Sequence, residues 1–187
     1  MTHIKKITLG FLSVMAIIAL AHTNARAYTP TKNLDIRVSI TASKSLTVNT
    51  TSYNFGAMPI SSTVVSGSSI SVTNDSGGLV ETYTIQGASA TPNGAGTNWV
   101  LAAAAAQDQY ALQAQFNDMP APLTGTFNAN HNLTFAAVAA SGTQFAGNQT
   151  GLSVQPAAIR GLWFQIKTPT AVTDTQIHIA QIVLAVQ

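Results

Sequence analysis

Apolar and polar residues alternate one by one along much of this chain, and only an extended strand turns every second side chain to the same side. Leu34, Ile36, Val38 and Ile40 alternate with Asp35, Arg37 and Ser39. Leu46 and Val48 continue the pattern, Tyr53 and Phe55 repeat it, and Ile70 and Val72 begin another strand after a Ser- and Gly-rich stretch, 61–69, that reads as an exposed connection. In 81–86, Tyr83 and Ile85 share one face and threonines the other. Between these two strands lie Asn74, Asp75, Ser76, Gly77 and Gly78, residues that tolerate positive φ or cap their own backbone, so 70–73 and 81–86 are expected to form a hairpin.

Helix and strand compete over 100–116. Ala102 to Ala106, with leucine and glutamine nearby, are strong helix formers. Tyr110, Leu112, Ala114 and Phe116, however, alternate with Ala111, Gln113 and Gln115, which predicts a strand at 109–116 after a short strand at 99–101 and a flexible or single-turn alanine segment. Pro120 and Pro122 stop that strand, Leu133 and Phe135 mark a short one, and 141–151 reads as loop. Residues 159–167 alternate again. Residues 175–186 are apolar on both faces, which places them mid-sheet, under a covering layer, or against a neighbouring subunit. About nine or ten short strands with turns at intervals of about 8 to 12 residues predict an all-β fold, an immunoglobulin-like β-sandwich.

Lys5 and Lys6, an apolar run over 7–21, and Ala25 and Ala27 at the −3 and −1 positions have the form of a secretory signal peptide, residues 1–27, cut before Tyr28. The expected mature chain, 28–187, is one domain that works outside the cell or at its surface, without a permanent membrane anchor. It keeps five of the eight Lys and Arg residues and all six acidic ones, so its net charge is 5 − 6 = −1. Those five are scattered, which removes support for a nucleic-acid partner. The chain has no cysteine, so disulfides, thiolate metal sites and cysteine nucleophiles are excluded. Only 7% of its residues are charged, against about a quarter in ordinary soluble domains. Either Ser, Thr, Asn and Gln form the solvent face, or other copies of the chain cover much of it.

Tyr53-Asn54-Phe55-Gly56, a Ser-rich linker with Gly67, and Ile70-Ser71-Val72-Thr73-Asn74 resemble the opening strand pair of immunoglobulin-like domains in exported bacterial surface proteins. Similar patterns occur in domains related to the major sperm protein fold. The resemblance covers about a fifth of the chain and implies the sandwich, with the aromatic residue in the core and the Asn ending its strand. It implies no activity.

No residue pattern points to catalysis. His131 and His178, the histidines of the mature chain, stand in different segments, lack zinc-site spacing, and read as structural. There is no Gly-x-Ser-x-Gly elbow, and Glu81 is the sole glutamate. Oxygen-rich clusters at 74–76 and 117–132 each offer no more than one carboxylate, so turn chemistry explains them better than calcium. No cofactor or metal is expected.

The resulting expectation is a secreted, non-enzymatic structural protein, the subunit of a homopolymeric filament or surface layer, whose partners are other copies of itself. The alternative is a secreted adhesion or carbohydrate-binding module with glycans as partners, in which Trp99, Tyr53, Tyr83, Tyr110 and Trp163 would supply a stacking platform. Tyr83 and Tyr110 stand at core positions of their strands. Trp99 and Trp163 face opposite the main apolar stripes and are the candidate contact aromatics. Residues 28–42, with Leu34, Ile36, Val38 and Ile40, are a candidate assembly strand, adding to a neighbouring subunit or serving as the first strand of its own domain.

Overall fold

The computed structural model describes residues 37–39 and 43–187. The expected signal peptide, 1–27, and Leu34, Ile36 and Ile40 of the candidate assembly strand lie outside the described residues. Residues 37–39 form no regular structure, and Val38 is 80% exposed. From residue 43 onward the chain is all-β.

Among the described residues there are nine strands: β1 (Leu46–Val48), β2 (Thr63–Val65), β3 (Ile70–Asn74), β4 (Tyr83–Pro92), β5 (Val100–Leu101), β6 (Gln109–Phe116), β7 (Val138–Ala139), β8 (Ile159–Lys167) and β9 (His178–Val186). They form two sheets. The larger runs β1-β3-β8-β6-β5, with β2 also on β8, and the smaller runs β7-β4-β9. β3 and β2 share one side of β8, paired through its first and second halves respectively, while β6 lies on the other side. All of these pairs are antiparallel except β5 with β6.

The period-2 pattern places the core. Val72 of β3, Tyr83 and Ile85 of β4, Leu112, Ala114 and Phe116 of β6, and Leu162 and Phe164 of β8 are buried in one hydrophobic cluster that draws on both sheets. The competition over 100–116 resolves as strand, with the alanines as a bend between β5 and β6.

Several local expectations are corrected. β3 and β4 form no hairpin, because they belong to different sheets. The buried Asn74 side chain explains the crossing. Its Nδ2 donates to the Leu79 and Val154 carbonyls, both at 2.8 Å, and its Oδ1 accepts from the Ser76 N–H at 3.0 Å and the Ser76 hydroxyl at 2.6 Å. These bonds hold 74–79 as a broad turn that carries the chain from one sheet to the other. Tyr53 and Phe55 lie in irregular chain, ring edge on ring at 4.8 Å. The stretch 61–69 contains β2, and Ser66 is buried with its hydroxyl accepting from the Phe164 N–H at 3.2 Å. Leu133 is core, yet Leu133 and Phe135 form no strand.

Candidate assembly surface

β9 is the outer strand of the smaller sheet, and no described residue pairs with its second edge. Gln187 donates its N–H to the Thr82 carbonyl and Ile177 accepts from the Asn93 N–H, so the odd-numbered residues of this strand bond towards β4. Antiparallel alternation then leaves the N–H and C=O groups of His178, Ala180, Ile182, Leu184 and Val186 on the open side. The side chains of Ala180, Ile182, Leu184 and Val186 turn to the core but are only partly buried. Those of Ile179 and Val183 turn outward, 54% and 56% exposed, and Ile177 just before the strand is 71% exposed.

Natural sheets blunt an open edge with charge, proline, a bulge or shortness. β1, the edge of the larger sheet, has three residues, and β5 has two. β9 has nine, without Lys, Arg, Asp, Glu or Pro. Of the three placements expected for 175–186, mid-sheet and under a covering layer are corrected: among the described residues this strand lies at an edge with its outward apolar face uncovered, which leaves the placement against a neighbouring subunit.

One end of this edge is pinned. The His178 side chain, 2% exposed, lies flat on the Trp99 indole. Its Nε2 lies 2.9 Å from the Thr97 carbonyl and its Nδ1 2.9 Å from the Gln176 carbonyl. Asp174 completes the corner, accepting from the Thr97 N–H at 2.7 Å and the Gln176 N–H at 2.9 Å. Those two bonds hold its carboxyl below the usual carboxylate range. Trp99 is thus half-buried, with its indole nitrogen enclosed and unpartnered.

Trp163 requires a correction. It is 1% exposed and its indole donates to the Asn117 carbonyl at 3.0 Å, so it is no contact residue of the free chain. A layer of chain carrying the 3-10 turns Thr124–Thr126 and Ala129–His131 covers the second face of β6 and β8. Gln165 donates to the Thr124 carbonyl at 2.9 Å and Gln113 to the Asn128 carbonyl at 2.8 Å. Gln115 accepts from the Thr126 hydroxyl at 3.1 Å. These glutamines, at alternate strand positions, are buried anchors for this layer. His131 belongs to the same layer and is 2% exposed. Its Nδ1 accepts from the Asn128 N–H at 3.0 Å, so its Nε2 donates to the Ala146 carbonyl at 3.0 Å.

The aromatic residues form no shared platform. Tyr83 and Tyr110 are core, Trp163 is under the loop layer, and Tyr53 packs on Phe55. Burial, with Glu81 beside it, pushes the Tyr83 phenol up to about 12. Glu81 is itself buried, and one carboxylate oxygen accepts from the Ser45 N–H at 2.7 Å. Among the described residues no three His, Asp or Glu side chains gather as a metal site, and no helix is long and apolar enough to cross a membrane. Two shallow surface depressions, of about 420 and 490 Å³, are lined without any titratable side chain. Comparison with known protein families, with curated proteins and with solved structures finds no match.

Proposed function

We propose that this chain is an exported, non-enzymatic structural protein whose copies associate into an extracellular filament or surface layer. In this reading residues 1–27 are removed as a signal peptide and the remainder folds as an immunoglobulin-like β-sandwich, a reading supported by two sheets contributing to one core.

The observation that carries the proposal is the edge of β9. A nine-residue strand without charge or proline, unpaired along one side by any described residue and apolar on its outward face, favours association in any concentrated solution of the chain. The low charge of the whole sequence acts in the same direction, since little electrostatic repulsion keeps copies apart. No feature of the described surface competes with this reading by supplying a nucleophile, a base and an electrophile together.

The test is the state of association of the chain from Tyr28 to Gln187. Light scattering across a concentration series, with negative-stain microscopy of the same samples, is expected to show ordered polymers or sheets that grow with concentration. A monodisperse monomer at the highest concentration reached would overturn the proposal.

A further inference from the structure

We propose that the open edge of β9 is filled by residues 34–40 of a second copy of this chain, which add to the smaller sheet as a further strand. This deepens the assembly reading above and rests on it.

The edge specifies what fits it. The backbone groups that no described residue pairs belong to Ala180, Ile182, Leu184 and Val186, whose side chains face the core and are partly exposed. An incoming strand must therefore offer apolar residues at every second position on the core side and polar ones on the other. Residues 34–40 have that order, with Leu34, Ile36, Val38 and Ile40 against Asp35, Arg37 and Ser39. At about 3.3 Å per residue, seven residues span about 23 Å, within the roughly 30 Å of a nine-residue strand. Asp35 and Arg37 would lie on the outward side, where they close the bare face of the sheet with charge.

Residues 37–39 belong to no strand, and Val38 is 80% exposed. The root of the segment is fixed, because the Ser45 N–H is held by Glu81, two residues before Tyr83, which pairs with Val186 at the far end of β9. Each copy thus carries an edge that no described residue pairs and, a few residues before Ser45, a segment whose sequence alternates as a strand does. Exchange between copies satisfies both, and repetition of one contact gives an open-ended chain.

Disulfide trapping tests this directly, because the protein has no cysteine of its own. One preparation of the 28–187 chain carries Arg37→Cys, and a second, of different mass, carries Ile179→Cys, Gln181→Cys or Val183→Cys, outward positions that span the register. Mixed and oxidised, at least one combination is expected to give a disulfide between the two kinds of chain. A companion variant, Val38→Pro, removes a ladder donor from the segment, and is expected to melt like the parent and to lose polymer. Polymers that form without any mixed disulfide, or that persist in Val38→Pro, would overturn the strand exchange and leave the assembly reading standing. A disulfide formed only when both cysteines lie on one chain would assign the edge to the chain's own segment and also overturn the exchange. Absence of any association in the parent chain would remove both readings together.

Discussion

His178 lies flat against Trp99, with ring centroids 4.0 Å apart and planes 13° from parallel. The contact joins the first residue of β9 to the residue that bridges β4 and leads into β5. It closes the two sheets at the end of the molecule where Ala90 and Trp99 exchange backbone bonds of 2.8 and 2.9 Å. Asp174 reinforces it from the chain before β9, and a Cβ on Gly96 would come within 2.6 Å of its carboxylate. The start of the proposed acceptor strand is therefore held by packing and hydrogen bonds, while no described residue pairs with its outer edge.

Asp174→Asn is expected to lower the melting temperature at neutral pH, because one of the two oxygens that accept from the Thr97 and Gln176 N–H groups becomes a donor. The carboxyl is held below its usual value of 3.8 in the folded chain, so the unfolded chain takes up protons first. Its contribution is complete above that value and is lost as pH falls through the folded-state value. Melting curves of parent and variant are expected to differ at pH 7 and to converge well below pH 3.8. A constant difference across that range would show that the carboxylate does not hold the corner.

His131 gives a second pH dependence, of opposite chemical origin. Its two ring nitrogens are matched by one donor and one acceptor, which suits the neutral ring alone, and burial pushes its pKa below the ordinary 6.5. The unfolded state binds the proton more tightly, so stability is full above about 6.5 and declines as pH falls below it. Urea unfolding at pH 7.5 and 5 is expected to show a loss in the parent that is reduced in His131→Gln. Equal losses in the two proteins would refute this assignment.

Trp163→Phe is expected to cost about 1 kcal/mol for the lost bond to the Asn117 carbonyl, plus a smaller packing loss. Trp163→Ala is expected to cost about 3 to 5 kcal/mol, the usual range for emptying a buried aromatic site. Denaturant midpoints measure both. A negligible effect of the alanine variant would place the indole at the surface after all.

Strands were legible in this sequence wherever one face is buried and the other is wet. β4 is the clearest example, with Tyr83 and Ile85 inward and Thr84 and Gln86 half-exposed. Pattern also favoured strand over helix at β6, where the alanine run alone argues for helix. It could not show that both faces of β6 and β8 are buried, because Gln113, Gln115 and Gln165 read as solvent-facing until the loop carbonyls that receive them are placed. Tryptophan on such a face reads as exposed for the same reason, as Trp163 does, although the loop layer buries it. Pairing partners were the least legible feature. The turn residues at 74–78 suit a hairpin, and only the bonds of Asn74 to Leu79 and Val154, a local and a distant partner, divert the chain to the second sheet. The candidate edge was half legible: its apolar character is plain in 175–186, whereas its position at the side of a sheet depends on the topology.

The two sides of β9 separate two kinds of association, and Val183 distinguishes them. Its side chain points outward and is 56% exposed, opposite Gln86, while its backbone bonds lie on the β4 side. Val183→Lys is therefore expected to change folding stability by no more than about 0.5 kcal/mol, as for an ordinary surface site. The added charge opposes face-to-face stacking of the apolar surface formed with Ile177 and Ile179, yet leaves the open backbone edge intact. Light scattering is expected to show less bundling and microscopy thinner polymers of undiminished length. Complete loss of polymer in a variant that still melts like the parent would show that the outward face, and not the strand edge, makes the contact between copies.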